Sequence, residues 1–529
     1  MLSYARGKDA PISDRTIGQA LECTARTYPN ELALVVRHQN IRLTWAQLLE
    51  SAERTARGLA GLGLAPGDRA GIWATNCGEW ILVQLGAALA GVVLVNVNPS
   101  YRSHELAFVL RRSGIKAIFL REKDARANYR QILDEAAAGQ ELPLRHIVTL
   151  GTDDWTNMLA NGTAYDASGV SNHDVTNIQY TSGTTGSPKG VLLTHRNLVN
   201  NASLTQQQLN LTVKDRLCAP LPMYHCFGCV LASLTCVVTG AALVLPSPQY
   251  DALATLQALQ DERATVIYGV PTMFIAELNH PEFASFDLTS LRTGIMAGAP
   301  CPVEVMKRVS TEMHAHQMLI GYGLTETSPL VTMTKCDDPL ELRVSTVGCA
   351  VANTEIKIVS RETGETVPTG EPGELCARGY AVMKGYDQEE EATRKAIDPE
   401  GWFHTGDLAT MDANGYFRIT GRAKDMIIRG GENIYPREVE EFLYQHPKIA
   451  DVQVVGLPDE RLGEIVACWI KLKAGEDCTC EEVRSFCHDK IAHFKIPHII
   501  RFVESFPMTV TGKVQKFKIR EEEMKARTH

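Results

Sequence analysis

Two stretches of the chain carry the same grammar. Residues 88–99 read ALAGVVLVNVNP and residues 237–248 read VVTGAALVLPSP. Each is the end of an apolar helix, a Gly able to close it, an apolar run and a Pro-bearing turn. An apolar run without polar alternation has no solvated face, so it fits a strand buried on both sides. Such strands belong to parallel sheets whose crossover helices cover both faces. Two copies predict two αβ layers of similar build. The uncharged stretches around them, Trp80 to Tyr101 and Cys226 to Tyr250, are long enough to imitate membrane spans. Each is broken by a Gly (Gly91, Gly240) and ends at a Pro turn, so neither offers about 20 unbroken apolar residues. No transmembrane segment is expected.

Other patterns set the organisation. TWAQLLESAERTARGLAGLGL (44–64) repeats apolar positions at three and four and ends at a Gly, which predicts an amphipathic helix. Residues 340–420 are rich in Gly, Thr and Val with hairpin-like turns, which predicts antiparallel strands. After GRAKD (421–425) the pattern changes again. A helix (437–446), a strand (450–458), a strand (465–473), a helix (481–491) and a short strand (499–503) make a compact αββαβ unit. The expected division is therefore 1–420, a hinge at 421–425, and a small domain at 426–529.

Charge and cysteine content exclude some functions. The 529 residues carry 53 Lys plus Arg against 62 Asp plus Glu, a net charge of −9. A general nucleic-acid binder normally carries a basic excess, so that class is disfavoured. The opening MLSYARGKDAPISD has no apolar core of a secretory signal. Fourteen cysteines without a framework-like spacing then imply free thiols in a reducing compartment, with the cytoplasm as the expected location. Neither Cys226-x-x-Cys229 nor Cys478-x-Cys480 with Cys487-His488 supplies four ligands at a zinc-site spacing.

Four segments carry chemistry. YTSGTTGSPKG (180–190) packs Gly, Ser/Thr hydroxyls and Lys189 into a short span after a strand-like NIQYTS. Gly exposes backbone N–H groups, hydroxyls add donors and Lys189 adds a point charge, all suited to phosphate oxygens. It departs from the P-loop pattern, because position 188 is Pro and the Lys comes one place late. LIGYGLTETSP (319–329) sets Tyr322 between two Gly, a ring able to lie against a base, and places one acid, Glu326, in a neutral run. One carboxylate beside polyphosphate suits Mg²⁺, whose remaining ligands are waters and phosphates. GWFHTGD (401–407) with ITGRAKD offers Asp407 and Arg422 to a ribose hydroxyl pair from two sides. FPMTVTGKVQK offers Lys513 to a cleft.

Together these segments match [ST]SG[ST]TGxPKG, YGxTE, WxxTGD, GRx[KD] and PxTxxGK in order. The chain thereby resembles the adenylate-forming superfamily of acyl-CoA synthetases, adenylation domains and firefly luciferase. That resemblance implies an α/β fold: a large N-terminal domain of two αβ subdomains plus a distorted β-barrel, and a small mobile α+β C-terminal domain. It implies that Thr181, Ser182, Gly183, Thr184, Thr185, Gly186, Ser187 and Lys189 embrace the ATP phosphates. Gly298, Ala299 and Pro300 match the adenine-side loop, and Gly321, Tyr322 and Gly323 should line the base. Thr325 should reach the α-phosphate and Glu326 should hold Mg²⁺. Asp407 and Arg422 should bind the ribose. Lys424 matches the hinge position, Gly430 and Gly431 the loop facing the thiol channel, Lys513 the adenylation lysine, and His225 the acyl-site mouth.

The implied reaction is ATP-dependent activation of a carboxylic acid as acyl-AMP, followed by transfer to coenzyme A. Amino-acid-activating relatives place an Asp shortly after the position of His225. Here Cys226, Phe227, Gly228 and Cys229 stand there, and no charge follows until Asp251. A substrate ammonium would be buried unpaired at a cost of roughly 3–5 kcal/mol, so an amino acid is disfavoured. The uncharged wall, with Val270, Pro271, Thr272, Met273 and Phe274, suits an apolar tail at about 0.8 kcal/mol per buried CH₂. PMYHCFGCVLASLTCVVTGA and YGVPTMF also resemble the medium-chain fatty acyl-CoA synthetases, so a medium-chain or branched fatty acid is expected. The alternatives are an aryl or short thioether acid, and an acyl-AMP ligase that delivers to a carrier protein. Relatives are often dimers, but no stretch of this sequence marks a homodimer interface.

Overall fold

The computed structural model of the chain describes residues 1–124, 127–181, 188–299, 301–422, 424–429, 432–488, 490–509 and 513–528. Its described strands form four sheets, of nine, seven, five and five strands. The two repeated corners sit in different sheets, as two layers of similar build require. The helix Gly78–Ala90 is closed by Gly91 at φ 70° and leads into the strand Val93–Asn96, inside the seven-stranded sheet. The helix Thr235–Thr239 is closed by Gly240 at φ 84° and leads into Ala242–Leu245, inside the nine-stranded sheet. Both strands are buried along their whole length.

The two large sheets are parallel at their centres, with antiparallel strands added at both edges of the nine-stranded sheet and at one edge of the seven-stranded sheet. In the seven-stranded sheet Val93–Asn96 runs parallel to Arg69–Trp73 and to Val175–Thr181. Beyond it, Val175–Thr181 and Lys189–Thr194 are antiparallel neighbours. The reason is connection length. A parallel step needs a crossover of a dozen or more residues, whereas the link from 181 to 189 is too short for one. Helices fill the space between the layers. Trp45–Gly61 begins at Thr44, which forms a capping box with Gln47. It packs against Gly78–Ala90 so closely that a Cβ on Gly86 would lie 2.7 Å from Thr55 Cβ.

The third sheet is the antiparallel region expected in 340–420. It contains Thr354–Val359, Gly373–Gly379, Phe403–Met411 and Phe417–Arg422. Its outer strand, Tyr4–Arg6, comes from the start of the chain and pairs with Thr354–Val359. The last strand ends at Arg422, and the next one, Ile427–Arg429, already belongs to the fourth sheet. That sheet holds Ile449–Asp459, Gly463–Leu472 and Ile499–Phe502, with helices Pro436–Leu443 and Cys480–Cys487 against it. The αββαβ order is present, extended by Ile427–Arg429 and Glu432–Ile434 before it and by the helix Lys516–Thr528 after it. The architecture is thus α/β, with a large N-terminal domain, a half-barrel sheet and a smaller C-terminal domain. Among the described residues no helix is long and apolar enough to cross a membrane.

Candidate active site

The polyphosphate motif falls partly outside the described residues: Ser182, Gly183, Thr184, Thr185, Gly186 and Ser187 are not among them, nor are Pro300, Gly430 and Gly431. What frames the motif is clear. Thr181 ends one strand, Lys189 begins its antiparallel neighbour, and the two residues face each other across the ladder. Lys189 Nζ stands 4.9 Å over the ring of Tyr386. Tyr386 lies on the short strand Gly385–Tyr386, which pairs with Lys189–Thr194. Its hydroxyl donates to Glu326 Oε1 at 3.0 Å. Tyr386 therefore joins Lys189 to Glu326, a link that the sequence motifs do not announce. Only its place in KGYDQ, beside a Gly, hints at it. The next residue, Asp387, is held in a two-pronged ion pair by Arg69 at 2.7 and 2.9 Å.

Gly321 and Tyr322 end the strand Gln317–Tyr322 of the nine-stranded sheet, and Gly323 follows them. A Cβ on Gly323 would come within 1.7 Å of the Pro329 carbonyl oxygen, so only Gly lets the chain fold back here. The fold-back forms the 3-10 turn Thr325–Thr327 and buries Thr325 and Glu326. Burial raises the Glu326 carboxyl above its ordinary pKa, against the hydrogen bond from Tyr386 and the positive charges of Arg422 and Lys189. Among the described residues no Lys or Arg forms an ion pair with it, and no group of three His, Cys, Asp or Glu can hold a metal ion. A buried lone carboxylate fits a divalent cation whose other ligands are phosphate oxygens and water.

Asp407 and Arg422 face each other on paired strands, with Arg422 Nε 3.2 Å from Asp407 Oδ1. Tyr322 donates its hydroxyl to Asp407 Oδ2 at 2.7 Å. The three form one joined group rather than two residues reaching in from opposite sides. Burial raises the Asp407 carboxyl, opposed by Arg422, Tyr322 and Lys513.

Gly298 and Ala299 follow the strand Thr293–Met296, at the carboxyl ends of the parallel strands, where open α/β sheets leave a crevice. Gly298 has φ 85°, and a Cβ there would meet Val270 Cγ1 at 3.3 Å and Lys513 Cε at 3.7 Å. Lys513 thus crosses from the C-terminal domain into this crevice. The backbone of Thr509 and Lys513 holds it: Thr509 N–H donates to the Lys513 carbonyl at 2.7 Å, and Lys513 N–H to Thr509 Oγ1 at 3.0 Å. Burial lowers the pKa of its ammonium, and the charge of Arg422 adds to this, while Cys226, Asp407 and Glu326 oppose it.

His225 closes the other side. Burial, helped by the Lys513 charge, lowers its pKa to about 3, so the ring is neutral. Its Nδ1 accepts from Phe227 N–H at 3.1 Å, which leaves the proton on Nε2. Cys226 Sγ lies 3.6 Å from His225 Nδ1 and 3.7 Å from Thr325 Oγ1. From Phe227 to Leu234 the chain winds as a wholly buried π-helix, a rare form that recurs at functional sites. Phe227 stacks on Tyr268, centroids 5.8 Å apart, and Val270 and Met273 are buried in the same apolar cluster, whereas Phe274 packs in a separate one against Gly269 and does not join this wall. Lys424 is separate from this group: it is exposed, in the turn after Arg422.

A crevice of this make, with a lysine delivered from a second domain, is that of an adenylate-forming enzyme. The chain matches the model of the AMP-binding enzyme family over residues 21–387 and that of the AMP-binding enzyme C-terminal domain over 438–513. It belongs to that family. It is 48% identical to YngI of Bacillus subtilis (strain 168), named as an acyl-CoA synthetase, over 97% of this chain and 98% of that one. It is 43% identical to the mitochondrial medium-chain acyl-CoA ligase ACSF2 of Rattus norvegicus, over 98% of this chain and 90% of that one. Among solved structures it resembles the anthranilate CoA ligase AuaEII in complex with anthranoyl-AMP. The TM-score is 0.90 at 27% identity, covering 98% of this chain and 99% of that one.

Proposed function

We propose that the chain is an AMP-forming acid–CoA ligase. It activates a medium-chain or branched fatty acid as acyl-AMP with release of pyrophosphate, then passes the acyl group to the coenzyme A thiol. The observation that carries this reading is the position of Lys513 beside Gly298, facing Asp407, Glu326 and His225. The chemical obstacle is charge: a carboxylate must approach an α-phosphate that is itself anionic. An ammonium enclosed between them cancels the repulsion and fixes the approach. Thr325 supplies a hydroxyl to the α-phosphate, and Thr181 and Lys189 hold the phosphates that leave. Asp407, with Tyr322 and Arg422 behind it, takes the ribose hydroxyls. Glu326 would hold Mg²⁺, which supplies positive charge to the departing pyrophosphate.

The second step needs the lysine out of the way. Because Lys513 arrives on the C-terminal domain, a rotation about 421–425, with Lys424 in the turn, withdraws it and brings the 430–431 segment to the thiol. The acyl preference is supported by the apolar wall of Phe227, Val270 and Met273, which offers no partner to a substrate charge. The name of the rat relative, a medium-chain acyl-CoA ligase, agrees with it. CoA is favoured over a carrier protein because both relatives are named for acyl-CoA formation.

The test is pyrophosphate release with ATP and Mg²⁺ over a panel from acetate to palmitate, with benzoate, branched acids and amino acids, each with and without CoA. Steady turnover that needs CoA and peaks at a middle chain length is expected. A single burst unaffected by CoA would move the acceptor to a carrier protein, and a peak on benzoate would move the substrate to aryl acids.

A further inference from the structure

The strand that carries Asp407 is irregular just before it. Cys376 pairs with His404 and Glu374 with Leu408, so residues 405–407 stand opposite Leu375 alone. Such a bulge re-aims side chains, and it needs its unpaired backbone groups satisfied from elsewhere. Here the neighbouring strand satisfies them. Glu374 Oε1 accepts from the Gly406 N–H at 2.9 Å. Thr405 Oγ1 donates to the Leu375 carbonyl at 2.7 Å and accepts from the Asp407 N–H at 3.1 Å. Gly406 takes φ 71°, which any side chain would strain.

The other Glu374 oxygen, Oε2, lies 3.5 Å from His404 Nδ1, and Cys376 Sγ lies 3.4 Å from the same nitrogen. On the far side His404 Nε2 stands 3.7 Å from Asp398 Oδ2. The imidazole is therefore wedged between two carboxylates and a thiol. Hydrogen bonding to Cys376, and then to Glu374, raises the pKa of His404 to about 10. Burial acts to raise the Glu374 carboxyl, yet His404 and the Gly406 N–H together hold it below its ordinary value. At neutral pH the two residues face each other as an ion pair.

We propose that Glu374 and His404 are positioning residues that clamp the 405–407 bulge and so set the aim of Asp407 at the ribose. Neither touches substrate. His404 fixes the Glu374 side chain, Glu374 fixes the Gly406 amide, and the next side chain in the strand is Asp407. The proposal rests on reading Asp407 as the ribose-binding acid.

The test compares kcat/KM for ATP and for 2′-deoxy-ATP in pyrophosphate release by the full chain. A merely structural contact would lower both values together and leave their ratio unchanged. Wild type should prefer ATP by about tenfold or more, since a site built for a hydroxyl rejects the analogue that lacks it. Asp407→Asn should lose most of that ratio. Glu374→Ala should lose it too. Glu374→Gln keeps an acceptor for Gly406 but loses the charge facing His404, so it should fall between, and it guards against a Glu374→Ala variant that fails to fold. An unchanged ratio in both Glu374 variants, with a reduced one in Asp407→Asn, overturns the clamp alone. An unchanged ratio in Asp407→Asn overturns the ribose reading and the clamp with it.

Discussion

Tyr386 joins two charges that polyphosphate chemistry needs in register. Its ring lies under Lys189 and its hydroxyl donates to Glu326. That hydrogen bond opposes the burial that raises the Glu326 carboxyl. Removing it in Tyr386→Phe should raise the Glu326 pKa further. The acid limb of activity, which needs Glu326 ionised, should then move to higher pH. The Mg²⁺ requirement should rise by about tenfold, the scale of a hydrogen bond of roughly 1.5 kcal/mol to a charged group. Pyrophosphate release titrated against Mg²⁺ at several pH values checks this; an acid limb that does not move would remove Tyr386 from the cation site. Glu326→Ala should show a larger loss in the same titration. An unchanged Mg²⁺ dependence would remove Glu326 from it as well.

Among elements, the helix His195–Gln208 shows how the fold sets a pH limit. Its first residue, His195, is buried, and its Nδ1 accepts from the Ile17 N–H, an orphan donor at the start of the helix Ile17–Thr27. Burial lowers the pKa of His195 to about 4, against a pull upward from Asp174. The unfolded chain takes up this proton near pH 6.5, and the folded chain only near 4. This contribution to stability is therefore complete above about pH 6.5 and falls away as the pH drops toward 4. His225 acts in the same direction. The thermal midpoint, followed from pH 7.5 to 5, should fall less steeply in His195→Gln, which keeps an acceptor but cannot titrate; an unchanged slope would reject His195 as a source. Elements also divide into those the sequence betrays and those it hides. The Gly-closed corners at 91 and 240 were legible because a left-handed cap and a Pro turn leave residue-level marks. The π-helix Phe227–Leu234 was not, since an apolar run buried all round has no period to read. The strand Tyr4–Arg6 is three residues long, and its partner lies hundreds of positions away. The helix Lys516–Thr528 is too polar to show an apolar stripe. In the site, motif residues could be named because their ordered motifs resemble those of a known family. Tyr386, Glu374 and His404 could not, because their roles arise from pairings between strands far apart in the chain.

At the scale of the molecule, the site is shared between domains. Lys513 is braced by its own: Lys516 Nζ lies 2.6 Å from Glu440 Oε1, and Glu440 Oε1 also accepts from Val454 N–H at 2.7 Å. The helix Pro436–Leu443, which bears Glu440, reaches the half-barrel through Arg437, whose Nη1 donates to the Ile419 carbonyl at 3.0 Å. Lys513→Ala should abolish acyl-AMP formation yet spare thioester formation from supplied acyl-AMP. Equal loss in both half-reactions, measured separately, would sink the account in which the lysine serves one step and then withdraws. The pairing of Tyr4–Arg6 with Thr354–Val359 has a consequence for biosynthesis. A ribosome adding about 5–20 residues per second needs roughly 20–70 s to supply the partner of the first strand. Leu32–Val36, which pairs on one side with Ile41–Thr44, likewise waits for Ala242–Leu245 on the other. For that interval the nascent chain exposes strand edges without their partners, so its demand for chaperones should be greatest before the half-barrel emerges, and slowed translation upstream of codon 354 should prolong it.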